Sequence, residues 1–305
     1  MFSSVNSLKL SRYSIKDIEK LTGIKAHTIR IWEQRYGLVE PHRTSTNIRF
    51  YDDEQLKKMI NISILIRNGK KISHISRLTD EAMKKATIDT LENQKAGEDF
   101  FQVQADALLI SMIELDEDHF EKIISTSTLR YGFENVMMKI LIPFLQKVGL
   151  LWTSGEISIS QEHFITNLIR RKLLVAIDGQ VNNVRRTERF LLFLPERELH
   201  EIGLLFAKYL IRSRGFRLVY LGQSVPLPDV IQVSNHYTPD YLLTYFTLGF
   251  GQDEVIKNVK AISEQLPDTS LLLCGPGVTY TDVSPYPNTR ILYTVDELLT
   301  FLNTM

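Results

Sequence analysis

Residues Tyr13 to Gly37 read YSIKDIEKLTGIKAHTIRIWEQRYG. Ser14 stands three residues before Asp17, the spacing at which two side chains cap a helix start reciprocally. Ile15, Ile18 and Leu21 then recur at helical spacing, and the first helix runs through Lys20. Gly23 breaks the pattern, and a second helix runs from about Lys25 to Tyr36. Two short helices around a tight Gly turn are the signature of a helix-turn-helix, with the second helix as the one that reads DNA. Ile29 and Trp32 face the first helix, which leaves Lys25, His27, Thr28, Arg30 and Arg35 for bases and phosphates. Arg bonds guanine through two acceptors, and phosphate takes Arg or Lys.

Downstream, a link containing Pro41 leads into Arg43-Thr-Ser-Thr-Asn-Ile-Arg-Phe-Tyr51. Ile48 and Phe50 alternate with Arg49, which predicts a short hairpin, a wing that lays Arg43 and Arg49 against the DNA backbone. Charge follows the same division. Residues 1–80 hold 15 Lys and Arg against 8 Asp and Glu, whereas residues 81–305 hold 21 against 28. A basic head on an acidic body points to a polyanion partner for the head alone. Two further helices, about Asp52–Arg67 and Ser73–Asp80, buttress the wing, and the polar segment 81–98 reads as a linker that is helical in part.

These stretches resemble the DNA-binding domain of MerR-type regulators from Ser14 through Leu78. The resemblance rests on Tyr13-Ser-Ile-Lys-Asp-Ile, Gly23-Ile, Thr28-Ile-Arg-Ile-Trp-Glu-Gln-Arg-Tyr-Gly-Leu38, Pro41-His-Arg43 and Ile48-Arg-Phe-Tyr51 followed by Asp53-Glu-Gln-Leu56. It implies a winged helix-turn-helix over residues 10–80, a double-stranded DNA operator, a homodimer on two half-sites, and Tyr51 among the DNA-facing residues. Asn47 stands where the family usually has Gly; Asn tolerates left-handed backbone angles, so the turn survives.

At 305 residues the chain is long enough for roughly two to three domains. It has no run of about 18 apolar residues, and its first residues, MFSSVNSLKLSRYS, lack the apolar core of a signal peptide. Its single cysteine, Cys274, excludes an internal disulfide and suits a reducing compartment. A cytoplasmic protein with no membrane partner is expected.

Residues 99–182 carry four amphipathic helices, about Phe100–Glu114, Asp116–Tyr131, Phe133–Val148 and Ser158–Asp178. In the first, Phe101, Ala105, Leu108, Leu109 and Met112 form one apolar face, and the short links predict an antiparallel bundle. Trp152 precedes Glu162-His163 by nine intervening residues. A core Trp and an ordinary helix start would explain that spacing. So would the capping of a flat, partly polar ligand by an aromatic face and a polar edge.

From residue 187 strands and helices alternate. Arg189–Leu194, Leu218–Leu221, Tyr241–Thr247, Leu271–Cys274 and Arg290–Tyr293 read as strands. The pattern predicts a doubly wound, Rossmann-like parallel sheet, so the whole chain reads as an α+β multidomain protein. Ligands in such sheets bind at the carboxyl ends of the strands. The loop after the first strand contains Glu198-x-His200-x-x-Gly203, in which a carboxylate could hold one imidazole nitrogen and present the other to a metal.

Residues 99–303 resemble the paired helical cap and Rossmann-like module of cobalamin-binding proteins. Trp152, Glu162 and His163 match the cap motif, and His200 and Gly203 match the Asp-x-His-x-x-Gly motif whose His is the lower ligand to cobalt. A MerR-type head joined to both modules resembles the light- and cobalamin-dependent repressors of the CarH kind. The resemblance implies adenosylcobalamin as cofactor, a ligand-bound tetramer that binds DNA, and dispersal of that tetramer by light. It implies Trp152, Glu162 and His163 over the upper face and His200 on the metal. It also implies Glu198, Gly203, Thr244, Gly275 and Gly277 around the remainder of the ligand.

Several positions depart from the pattern. Glu198 replaces Asp and is one methylene longer. Thr244-Tyr-Phe246 stands where the third strand usually ends in Ser-x-Thr or Ser-x-Leu, which keeps a hydroxyl but adds bulk. Gly275-Pro276-Gly277 replaces Gly-Gly, and Thr153 replaces a His that follows the cap Trp in some photoreceptors. Two readings therefore stand. One is a cobalamin- and light-responsive transcriptional regulator. The other is a MerR-type regulator whose module has lost cobalamin and answers to a protein or another small molecule. An enzyme reading finds no nucleophile–base constellation.

Overall fold

The computed structural model describes residues 12–93, 98–153, 157–181, 184–247 and 249–305. It forms two compact units, Met1–Thr166 and Asn167–Met305.

In the N-terminal unit, α1 (Ile15–Thr22) and α2 (Ala26–Tyr36) flank Gly23. Ser14 caps α1 in a reciprocal box with Asp17, and Gly23 ends it in the left-handed conformation at φ 75°. The wing is an antiparallel pair, β1 (His42–Arg43) and β2 (Arg49–Phe50). Asn47 turns it at φ 64°, the left-handed angle that the sequence reading assigned to this position. The isolated pairing of Tyr13 with Tyr51 ties the entry to α1 to the end of the wing.

Next come α3 (Asp53–Arg67), the short α4 (Ile72–Ile75) and α5 (Asp80–Asn93). Residues 80–93, read from the sequence as a partly helical linker, are a regular helix packed on α3. Its Met83 and Thr87 are buried. Apolar side chains are sparse there, so periodicity alone does not reveal the packed face. The bundle continues with α6 (Glu98–Glu114), α7 (Glu117–Tyr131), α8 (Phe133–Val136), a π-helical turn at Met137–Leu141, and α9 (Ile142–Thr153). The third predicted helix thus extends past Val148 and carries Trp152 in its last turn.

One polar cluster lies inside this unit. Asp106 of α6 is buried and pairs with Lys147 of α9 and, at 3.9 Å, with Arg67 of α3. Lys147 also donates to the Leu21 carbonyl at 3.1 Å, and Arg67 to the Thr22 carbonyl at 3.2 Å. Both acceptors belong to the last turn of α1, where helix carbonyls lack intrahelical partners.

A further helix, α10 (Ile159–Asp178), contains the division between the units, which therefore falls before the boundary read at residue 182. Beyond it, β3 (Arg189–Pro195), β4 (Arg217–Val225), β5 (Tyr241–Tyr245), β6 (Ser270–Cys274) and β7 (Thr289–Leu292) form one parallel sheet in the order β4-β3-β5-β6-β7. Between the strands run α11 (Ile202–Ser213), α12 (Leu227–Tyr237) and α13 (Gln252–Gln265), and α14 (Val295–Thr304) ends the chain. α11 packs with α14, and α12 with α13. Leu191, Phe193, Leu242, Phe246, Leu271 and Leu273 join α12 and α13 in one apolar core. Strand order reverses between β3 and β5, and the crevice at such a switch point is where ligands enter sheets of this kind.

Candidate DNA-reading helix and switch-point loop

The head presents its basic residues unevenly. His27, Arg30 and Arg35 are exposed on α2, Thr28 is half-buried, and Lys25 is largely exposed while pairing with Glu19 at 3.1 Å. Arg43 is exposed on β1 and donates to the Asn47 side chain at 2.8 Å, which fixes it along the wing. Arg49 is half-buried and forms an ion pair with Glu33 of α2 at 3.5 Å. Tyr51 is fully buried, and its hydroxyl donates to the same Glu33. Burial and the Glu33 bond push its phenol well above the ordinary range. Tyr51 thus corrects the sequence reading, because a side chain without exposed surface braces the wing against α2 and does not touch DNA. Glu33 was missed, since an anchor that acts across 18 residues leaves no local signal.

In the helical region, Trp152 is 46% exposed, which sets aside the reading of a core Trp. Ser158 and Gln161 cap α10 reciprocally, with bonds of 3.0 and 3.1 Å, and place Glu162 and His163 in its first turn. His163 is largely exposed and lies 3.5 Å from the Glu162 carboxylate. Residues 154–156 and the Thr153 side chain lie outside what is described.

At the switch point, the loop after β3 is held from three sides. Arg197 takes a left-handed angle, φ 73°, and its amide donates to the Ser224 hydroxyl at 3.0 Å; the Ser224 amide returns to the Glu198 carbonyl at 3.1 Å. Glu198 is only 1% exposed. One of its oxygens accepts from the His200 amide at 2.9 Å and bonds His200 Nδ1 at 2.7 Å. The other accepts from the Thr247 amide at 3.0 Å and the Thr247 hydroxyl at 2.6 Å. Burial alone would raise the Glu198 pKa; these four donors outweigh it and hold the carboxyl below its ordinary value. Glu201, also buried, accepts from Arg170 of α10 and from the Tyr220 hydroxyl at 2.8 Å, steadying the loop from its other end. The His200 ring itself is 73% exposed, with Nε2 outward from the bonded Nδ1. The extra methylene of Glu198 therefore does not weaken its hold, because the β5 end grips its second oxygen.

Thr244, read from the sequence as a ligand contact, is buried near the end of β5. Side chains alternate along a strand, and Thr244 shares the face of Leu242 and Phe246 in the core beneath α12 and α13. Its buried hydroxyl has no hydrogen-bond partner among the described residues. The opposite face carries Tyr245, and the hydroxyl at the site is that of Thr247.

The expected glycines are close-approach positions, but their occupant comes from the chain itself. A Cβ on Gly203 would lie 2.7 Å from one edge of the Tyr245 ring, and a Cβ on Gly275 2.7 Å from the other. Gly275 also holds φ +98°, and a Cβ on Gly277 would strike the Thr247 carbonyl. A cobalamin therefore meets a mixed site. The His200 ring suits a metal donor, with one imidazole nitrogen fixed by a buried carboxylate and the ring largely exposed. The glycine cradle beside it is filled by Tyr245. Among the described residues no three His, Cys, Asp or Glu side chains gather as a metal site. No described helix is long and apolar enough to cross a membrane.

Comparison with known proteins matches two stretches of the chain. The MerR HTH family of regulatory proteins matches residues 13–82, and the B12 binding domain matches residues 104–176. The HTH-type transcriptional repressor CarH of Myxococcus xanthus is 27% identical over 237 residues, covering 75% of this chain and 77% of the relative. The repressor CarA of the same organism is 25% identical over 243 residues, 79% and 78% of the two chains. The monomethylamine corrinoid protein of Methanosarcina barkeri shares the fold at a TM-score of 0.56, with 16% identity, over 69% of this chain and all of that one. The chain is a cobalamin-linked transcriptional regulator that joins a MerR-type helix-turn-helix to a B12-binding domain, homologous to the CarH and CarA repressors.

Proposed function

We propose that this regulator is a cytoplasmic, non-enzymatic protein that binds an operator in double-stranded DNA as a homo-oligomer. A corrinoid, adenosylcobalamin in the first instance, controls that binding. The observation that carries the reading is the switch-point imidazole: Glu198 fixes His200 Nδ1 from a buried position, and the other ring nitrogen faces solvent at the end of the sheet. A corrinoid would bring most of its cobalt's ligands and could take one further donor from the protein, a role that a lone, oriented His200 would fill. When bound it supplies a light-sensitive cobalt–carbon bond. The chain's part is to hold the metal through His200, with Trp152, Glu162 and His163 as further contacts, and to present Arg30, Arg35, His27, Thr28, Lys25 and Arg43 to DNA. Arg49 serves from the wing while anchored to Glu33. Repression is proposed from the CarH and CarA relatives, which are transcriptional repressors, and response to light from the light-sensitive bond that the cofactor would supply.

The test is retention. Full-length protein mixed with adenosylcobalamin in the dark and passed through a desalting column is expected to carry the corrin absorbance, and His200→Ala is expected to shift the spectrum and lower retention. Identical spectra and retention in the two proteins would remove His200 as a ligand. One observation favours the second reading, a module turned to a different effector: the Tyr245 ring that fills the glycine cradle.

A further inference from the structure

Tyr245 stands at the end of β5, and the structure surrounds it in an unusual way. Gly203, in the first turn of α11 and three residues after His200, faces one edge of its ring; Gly275, just past β6, faces the other. At either glycine an ordinary Cβ would fall 2.7 Å from ring carbons, closer than real Cβ atoms approach; at Gly203 the three nearest atoms all belong to the ring, whereas at Gly275 the Phe246 carbonyl at 2.3 Å and the φ of +98° require glycine as well. Glycine permits close approach of a ligand or of the chain, and here the chain's own aromatic ring uses the permission. The Tyr245 hydroxyl has no hydrogen bond among the described residues, so packing alone retains the ring.

We propose that Tyr245 is a gate that sets which corrinoids this module accepts, favouring those without the lower nucleotide over complete cobalamin. The inference rests on His200 as the axial donor. Cobalamin carries a nucleotide tail ending in a benzimidazole on the lower face of its ring. When a protein imidazole takes the lower position on cobalt, that base leaves the metal and must lie beside the donor. The loop that carries His200 runs directly into Gly203, one wall of the slot between Gly203 and Gly275, and Tyr245 fills that slot edge to edge. A complete cobalamin enters only when Tyr245 rotates out and gives up its packing. A cobinamide, which has the corrin ring but no nucleotide, reaches His200 with Tyr245 in place. Selectivity here therefore resides in the fit of a side chain against two glycines, whereas the donor is common to both ligands.

Titration of the full-length chain with adenosylcobalamin and with adenosylcobinamide, followed by visible absorbance, tests this. Wild type is expected to bind the cobinamide at least about tenfold more tightly. Tyr245→Ser is expected to tighten cobalamin binding until the two affinities are about equal, with cobinamide binding unchanged. Tyr245→Leu, shorter but apolar, is expected to give the same direction and serves should the serine variant fail to fold. Equal affinities in wild type, or substitutions that leave the ratio unchanged, would overturn the gate while leaving His200 as ligand. If no variant binds either corrinoid, the gate falls together with the axial role of His200.

Discussion

Glu198 does most to define the switch-point site, although the sequence suggests only a neighbour to His200. It spends both oxygens, one on His200 and one on Thr247, and so links the loops after β3 and β5 across the point where strand order reverses. Four donors keep its pKa lowered against the opposing pull of burial. A carboxyl whose folded pKa is depressed adds stability that is full above its unfolded value and is lost as pH falls through the folded value. Glu198→Gln keeps one acceptor oxygen but replaces the other with a donor, which opposes the Thr247 amide and hydroxyl. The melting midpoint of wild type is therefore expected to exceed that of Glu198→Gln at pH 7, and the gap to close as pH drops below the ordinary Glu value of 4.5. A gap independent of pH would place its origin in packing and not in ionisation.

The sequence reading was most accurate where local chemistry decides the outcome. The Ser14–Asp17 cap, the Gly23 turn, the left-handed Asn47 and the parallel sheet all appear as read. It failed where a distant partner decides. Thr244 came from the strand-end motif of the resemblance, and its buried hydroxyl, without a partner among the described residues, lies on the face opposite Tyr245 and Thr247. Tyr51 looked available because it ends a basic wing, but Glu33 of α2 receives its hydroxyl inside the fold. The cradle glycines were legible as close-approach positions, and their occupant was not.

At the scale of elements, three helices of the N-terminal unit converge on the end of α1. Lys147 of α9 and Arg67 of α3 flank buried Asp106 of α6 and also bond the carbonyls of Leu21 and Thr22. The arrangement satisfies the carbonyls at the buried end of a helix while neutralising a buried carboxylate. Removing one partner of such a pair strands the other without solvent. Lys147→Met is thus expected to cost about 3–5 kcal/mol of unfolding free energy, measured by urea titration, and Lys147→Met with Asp106→Leu to recover most of it. A single variant as stable as wild type would mean that Asp106 finds compensation elsewhere. The same α9 carries Trp152 in its last turn, so the helix that holds a ligand candidate also holds the first helix of the DNA-binding head.

In the whole molecule two chemistries share one chain: a basic helix and wing suited to phosphate and base edges, and an oriented imidazole at a sheet's switch point. Control requires only that the ligand bind one assembly state better than the other, since differential affinity is sufficient to shift a population. Homology to two repressors across about three quarters of the chain supports both parts acting together. The most direct measurement is the affinity for a DNA fragment selected by the protein from a random pool. It would be read by fluorescence anisotropy without ligand, with saturating adenosylcobalamin in the dark, and after green light. The account predicts binding at least about tenfold tighter with ligand in the dark, its loss on illumination, and no ligand effect in His200→Ala. Equal affinity in all three states would contradict it.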